Sequence, residues 1–337
     1  MSDDSPAQQT LSAALALPPF RSPWWANHPH AQTILAHLKP SPCRTPPWQS
    51  LALKLPDHDV LKLRVARGQS GAVVYLFHGL GGSADADYMR RGAALAWEAG
   101  HSVVAVNHRG AGEGRGAAKH PYHSGSTKDL STVFLMGHGL FPDHLHLAIG
   151  FSISANMLLL LLGRDQRLTR PDAAIAVNPP VNLEACSRRL TRGFNKVYDV
   201  RFMAMLKRQI RERVDFGLLP EMPVLSRFAD LRDLDSAYTA PQGGFASRED
   251  YYARCSAGPH LATIKTPTLL LTSRDDPFAP ASDVEACALG PGITLHVEDG
   301  GGHMGYLDRT APGGRWLDLA LGRGMEELLA QLRHESR

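Results

Sequence analysis

The chain has 337 residues, 43% hydrophobic and 20% charged, with a formal net charge of +3, which suits one large α/β domain or two smaller ones. That charge, without any Lys/Arg-rich block, leaves no footprint for a nucleic-acid partner. Four scattered cysteines, Cys43, Cys186, Cys255 and Cys287, include no C-x-x-C pair, which argues against a zinc site or disulfide framework and for free thiols in a reducing compartment.

The first residues, Met1-Ser2-Asp3-Asp4-Ser5, are acidic where a secretory leader would be basic. The most apolar run, Met157 to Leu162, is too short to span a bilayer. A cytoplasmic protein without an integral membrane segment is expected. Residues 1–47 are rich in Pro, Trp and His and read as an arm wrapped over the core. Leu11 to Leu17 with Phe20, Trp24 and Trp25 suits core covering better than a membrane surface, and peripheral membrane contact stays open.

Alternating segments from Leu51 and from Val60 flank Asp57-His58-Asp59 and predict a hairpin. Short apolar runs then predict strands at 72–77, 102–107, 144–151, 173–178, 268–273 and 293–298, with helices at 87–99, 126–136, 154–162 and 283–289. Strands alternating with helices imply an α/β fold with a mostly parallel central sheet and helices on both faces, and the hairpin makes the sheet mixed. Between Pro180 and Pro267 only helical patterns occur, at 184–190, 197–214 and 225–234, and a closing helix is expected at 316–334. The expected organisation is an arm at 1–47, a core at 48–180 and 263–337, and a helical cap insertion at 181–262.

The strand at 144–151 runs through Gly150-Phe151-Ser152-Ile153-Ser154 directly into a helix. This is the layout of a nucleophile elbow, where small residues flank the serine because strand and helix backbones nearly touch. A serine hydroxyl needs a neighbouring base, and the base an orienting carboxylate. Past the strand at 268–273 comes Asp275-Asp276-Pro277, and past the strand at 293–298 comes Gly300-Gly301-Gly302-His303. Ser152, then Asp276, then His303 is the chain order of an α/β-hydrolase triad. Asp276 is preferred to Asp275 because it directly precedes the Pro of a D-P-x-x-P turn. All three follow strand ends, where open α/β sheets hold their ligands. The glycine-rich His78-Gly79-Leu80-Gly81-Gly82-Ser83 loop could offer the Leu80 amide, with that of Ile153, to a developing oxyanion. Plainer readings exist: Ser152 as a helix N-cap, Asp275 and Asp276 as turn formers, and His303 as one of sixteen histidines. His28/His30 and His144/His146 have metal-binding spacing but no evident third ligand, so neither metal nor cofactor is expected.

Several segments together resemble the YheT-like branch of the α/β-hydrolases, which includes eukaryotic abhydrolase-domain lipases and yeast medium-chain alcohol acyltransferases. They are Trp24-Trp25 with His30-Ala31-Gln32-Thr33, the His78–Ser83 loop, Asn107-His108-Arg109-Gly110, Tyr122-His123-Ser124-Gly125, Thr239-Ala240-Pro241 with Gly244-Phe245 and Asp250-Tyr251-Tyr252, Asp275-Asp276-Pro277-Phe278, and Gly302-His303 with Gly305. The likeness covers roughly residues 18–332. It implies Ser152, Asp276 and His303 as the triad, with Leu80 and Ile153 as oxyanion donors. Ser154-Ala155 stands where that family usually has Gly-Gly, which implies a tighter approach and altered or reduced activity. Arg109 and His123 are expected to be structural. The implied function is hydrolysis of carboxylic esters of short to medium acyl chains through an acyl-enzyme, on a small-molecule or lipid-like substrate. The alternatives are an alcohol O-acyltransferase with the same triad, a non-catalytic binding protein of the same fold, and a metal-dependent hydrolase. Oligomeric state is not legible.

Overall fold

The computed structural model describes residues 17–38 and 42–335. Of the segment from Leu11 to Leu17, all but Leu17 lies outside the described residues. Eight strands form one sheet: β1 (Gln49–Lys54), β2 (Val60–Ala66), β3 (Ala72–Phe77), β4 (Ser102–Asn107), β5 (Leu145–Phe151), β6 (Ala173–Val177), β7 (Thr268–Ser273) and β8 (Ile293–Glu298). Their order is β1-β2-β4-β3-β5-β6-β7-β8. Only β2 is antiparallel to its neighbours, β1 and β4; every other pairing is parallel.

The central strands are continuous apolar runs because they are covered on both faces. In β3 all six residues are buried. Val73, Tyr75 and Phe77 enter one core layer, while Ala72, Val74 and Leu76 enter the other, as a two-residue period requires. The first layer is closed by α3 (Thr127–Leu140) and α4 (Ile153–Gly163), the second by α2 (Asp87–Glu98) and α9 (Trp316–Glu335). Helix α4 is buried at every position. Among the described residues, no helix is long and apolar enough to cross a membrane.

Between β6 and β7 the described chain is helical: α5 (Leu183–Leu190), α6 (Lys196–Asp215), a stretch from Leu231 to Gln242 and α7 (Arg248–Cys255). These helices have a small apolar core of their own that includes Leu190, Met203, Ile210, Leu234 and Tyr238.

Several elements differ from expectation. The helix expected from Leu225 begins at Leu231, because Asp230 caps it in a reciprocal capping box with Asp233. It then widens into a π turn over Asp235–Thr239. The helix expected at 283–289 is the short α8 (Ala281–Glu285), set two residues earlier by Pro280 at its N-cap. Helix α3 continues through Gly137, where a Cβ would overlap the Tyr75 hydroxyl; that glycine answers a packing demand and does not end the helix. The arm contains an unanticipated helix, α1 (Pro29–Leu38). Phe20 covers the core, edge-on to Tyr306 and Trp316, but Trp24 is 89% exposed and covers nothing. All four cysteines are free.

Candidate active site

Parallel pairing puts the carboxyl ends of β3, β5, β6, β7 and β8 along one edge, and the loops that follow them carry the site. Gly150 pairs with Phe77 on one side and Ala176 on the other. The chain then turns through Ser152, which adopts φ 54°, ψ −121°, a conformation costly for a residue with a Cβ. A Cβ on Gly150 would lie 2.7 Å from Ser154 O and 2.9 Å from the Ala155 backbone, so only glycine fits. Ser152 stands at the N-cap position of α4 but makes no side-chain cap bond to it, so its hydroxyl is not spent on capping. Its Oγ lies 2.9 Å from His303 Nε2.

His303 Nδ1 lies 2.6 Å from Asp276 Oδ2. The Asp276 side chain is fully buried. Its Oδ1 accepts from the Phe278 and Ala279 amides at 3.1 and 2.9 Å, and Oδ2 accepts from Asn178 Nδ2 at 2.9 Å. Burial pushes this carboxyl's pKa up, but the His303 charge and these donors outweigh it and hold it below the ordinary value. An ionised Asp276 fixes the proton on Nδ1 and leaves Nε2 to accept from the serine. Asp275 makes no bond to the His303 ring among the described residues. Its Oδ1 accepts from the Gly302 amide at 2.8 Å, which anchors the histidine loop, and burial raises its pKa.

That loop is also clamped from outside. The His303 amide donates to Thr33 Oγ1 at 2.9 Å, and Gln32 bonds both the amide and the carbonyl of Leu307, at 2.7 and 3.1 Å. Gly302 and Gly305 let α1 approach this closely, since a Cβ on either would stand 2.5 Å from the carbonyl oxygen of Pro29 or Gln32.

On the other side of the serine, the Gly79 amide donates to Tyr88 Oη (2.9 Å) and the Gly81 amide to Tyr122 Oη (2.7 Å). Among the described residues the Leu80 amide between them has no acceptor, and neither does that of Ile153, the first residue of α4. Ser154 does not crowd the elbow. It is fully buried, its Oγ donates to His78 O at 2.5 Å and accepts from His108 Nε2 at 2.7 Å. The serine thus ties the elbow helix to the loops after β3 and β4. His78 Nδ1 donates to Gly79 O at 2.8 Å while its Nε2 accepts from the His108 amide at 3.2 Å. Burial holds both rings neutral, with the His78 pKa pushed down to about 4 and that of His108 well below its usual value.

Ser152 stands between two cavities. One is covered by the helical insertion and lined by Leu80, Ile153, Leu183, Phe202, Leu206 and Leu231 among others. The other is an open groove lined by His303, Met304, Thr33, Gly79 and Tyr198 among others.

Arg109 sits outside the site. Its guanidinium grips Asp129 with two bonds (2.6 and 2.7 Å) and also reaches Asp57 and Asp59 (2.7 and 2.6 Å). Asp57, Asp59 and His120 form the one described cluster with metal-like spacing, and Arg109 already fills it. Neither H-x-H pair belongs to such a group, and both ring nitrogens of His146 are bonded, to Tyr75 Oη and Phe141 O. His123 lines the covered cavity, with Nδ1 accepting from the Gly125 amide at 3.1 Å.

Sequence reasoning missed the roles of Asn178, Gln32, Thr33, Tyr88 and Tyr122. Gln32, Thr33 and Tyr122 lie in segments that carry the family resemblance, and Asn178 carried a local signal, an Asn at a strand end before two prolines; it adopts φ 46°.

A family model described as the α/β hydrolase fold matches residues 72–310. Over 290 residues the chain is 32% identical to YheT of Escherichia coli (strain K12), a protein named as a candidate esterase, covering 83% of this chain and 85% of that one. It is 29% identical to the phospholipase ABHD3 of Homo sapiens over 71% of its own length, and spans 59% of that protein. The solved structure of the Pyrococcus furiosus esterase Pf2001 covers 92% of this chain and 98% of its own with a TM-score of 0.57; at 15% identity this shows a shared fold.

Proposed function

The chain belongs to the α/β hydrolase family, in the branch that contains YheT, and on that premise we propose that it is a serine hydrolase of carboxylic esters with short to medium acyl chains. The observation that carries this reading is the unbroken Ser152–His303–Asp276 relay beside two unpartnered amides. In the proposed reaction His303 Nε2 takes the Ser152 proton as Oγ attacks the ester carbonyl. The Leu80 and Ile153 amides receive the developing oxyanion. His303 then returns the proton to the leaving alcohol, and water attacks the acyl-enzyme by the same route. Asp276 holds the imidazole orientation and stabilises its charged form.

The two cavities divide the substrate. A leaving oxygen must lie within reach of the histidine that protonates it. His303 lines the open groove and not the covered cavity, so the alcohol moiety takes the groove and the acyl chain the cavity. The open groove also favours a second reading: an alcohol entering there could replace water at the acyl-enzyme, making the protein an alcohol O-acyltransferase.

The test is labelling with a fluorophosphonate probe, with peptide mapping, on the wild type and on Ser152→Ala. An adduct on Ser152, absent from the variant, is expected. A p-nitrophenyl ester series from acetate to decanoate, with and without added ethanol, then separates hydrolysis from transfer by its products. A folded wild type that gives neither adduct nor turnover would leave a non-catalytic binding protein of this fold.

A further inference from the structure

The covered cavity is apolar over most of its wall, but one cationic side chain in that wall has no acidic partner among the described residues. Arg213, on α6, is 3% exposed and lines the cavity. Its Nη1 donates to Gln209 O at 3.2 Å, and Nη2 donates to Arg109 O and His120 O at 3.0 and 3.4 Å. Its Nε is buried with no acceptor among the described residues. The neighbouring carboxylates are engaged elsewhere. Asp57, Asp59 and Asp129 are held by Arg109, and Glu212 pairs with Arg115 and Arg208. A guanidinium cannot shed its proton to escape burial, and a buried charge without a counter-charge is costly.

A second group points the same way. Four tyrosines line the cavity: Tyr122, Tyr238, Tyr251 and Tyr252. Three have hydroxyl partners, the Gly81 amide, the Ser124 amide and Asp235. The fourth, Tyr238, is 5% exposed, and its Oη has no partner. Both groups line the same cavity, and burial raises the Tyr238 pKa while the Arg213 charge works against that rise. Tyr238 lies in the π turn Asp235–Thr239, a rare irregularity that often marks a functional position. Asp235 also lines the cavity, but Tyr252 Oη donates to it at 2.7 Å and it makes no ion pair with Arg213. The backbone makes room for the cation too. Gly110 has φ 70°, and a Cβ there would stand 2.5 Å from Arg213 Nη2.

We propose that this cavity takes an acyl group that carries an anion, a carboxylate or a phosphate-type group, held where the Arg213 and Tyr238 side chains line its wall. The inference rests on the esterase reading, which places the acyl chain in the cavity. Its substrates are esters of short, negatively ended acyl chains, such as the mono-esters of dicarboxylic acids. The apolar wall then takes the methylenes, and the stretch lined by Arg213 and Tyr238 takes the charged end.

The test compares p-nitrophenyl hydrogen dicarboxylates, from succinate to sebacate, and their ω-phosphono counterparts with p-nitrophenyl alkanoates of equal length. Wild type, Arg213→Met and Tyr238→Phe are assayed. In the wild type one anionic length is expected to exceed its neutral match in kcat/KM. Arg213→Met should lower that value about tenfold to a hundredfold, the range for a lost charged hydrogen bond, and lower the alkanoates of equal length by a clearly smaller factor. Tyr238→Phe removes a single oxygen and should lower the anionic series more than the alkanoates, which guards against misfolding of the arginine variant. The better of the carboxylate and phosphonate arms identifies the group. If no anionic ester exceeds its neutral match, or both variants lower the two series equally, Arg213 is a structural strut and the inference fails. If the wild type turns over nothing, calorimetric titration with the free dicarboxylates separates the two readings. Binding lost in Arg213→Met supports the subsite while the esterase reading falls, and no binding overturns the subsite.

Discussion

At the carboxyl edge of the sheet, polar groups are held by partners from several segments at once. Asp276 has four, the histidine loop is tied to α1 and to Asp275, and Ser154 bolts the elbow to His78 and His108. In the helical insertion, Arg213 Nε and Tyr238 Oη lack partners inside, while Val200, Val224 and Phe228 are 67%, 92% and 89% exposed outside. The difference teaches where each task resides. Groups at the sheet edge are fixed by strands and shared hydrogen bonds, whereas the helices between β6 and β7 carry buried donors that the described residues leave unpaired.

Four predictions sharpen or break this contrast. The largest concerns the two neighbouring acids. If Asp276 orients His303, Asp276→Asn lowers kcat for p-nitrophenyl esters by about ten-thousandfold. Asp275→Asn, whose side-chain oxygen can still accept from the Gly302 amide, loses far less; equal losses would undo the distinction.

Acid acts on the two regions with opposite sign. His78 is pushed from an ordinary 6.5 to about 4 by burial. The unfolded chain binds a proton there that the fold excludes, so its contribution is complete above pH 6.5 and is lost as pH falls toward 4. Asp235 in the insertion is raised by burial to about 6. Its contribution is complete below the ordinary 3.8 and is lost as pH rises through about 6. Scanning calorimetry should therefore show Tm falling from pH 6.5 to 4 in the wild type. The fall should be steeper in Asp235→Asn, which lacks the opposing gain. An unchanged slope would show that the Asp235 carboxyl is not buried as described.

Ser154→Ala removes two buried hydrogen bonds and leaves His78 O and His108 Nε2 without their partner. It should cost about 1–3 kcal/mol in urea unfolding. A neutral result would reduce Ser154 to a space-filler. The smallest effect belongs to the insertion's surface: Phe228→Ser should shift stability by no more than about 0.5 kcal/mol. A larger loss would mean that the exposed ring is packed in solution.

The sheet was legible because buried parallel strands are continuous apolar runs. The predicted ranges 72–77, 102–107, 268–273 and 293–298 coincide with β3, β4, β7 and β8. The elbow was legible because Gly150 and Ser152 answer a local backbone demand. The start at Leu231 was obscured because Leu225 and Phe228 continue an apolar rhythm that the Asp230 cap interrupts.

By itself the sequence determined the alternation of strands and helices, the α/β hydrolase family, and the order in which a serine, an acid pair and a histidine follow strand ends. Each of these is written in neighbouring residues, through periodicity, small-residue turns and short motifs. Only the tertiary structure decided which acid bonds His303, that Thr33 meets a histidine 270 residues away, that Ser154 joins the elbow helix to two loops, and that Arg213 lines the cavity beside Ser152 without an ion-pair partner among the described residues. A hydrogen-bond partner is chosen by the distance between segments after folding, and burial by what the whole chain packs around a group; local sequence carries neither.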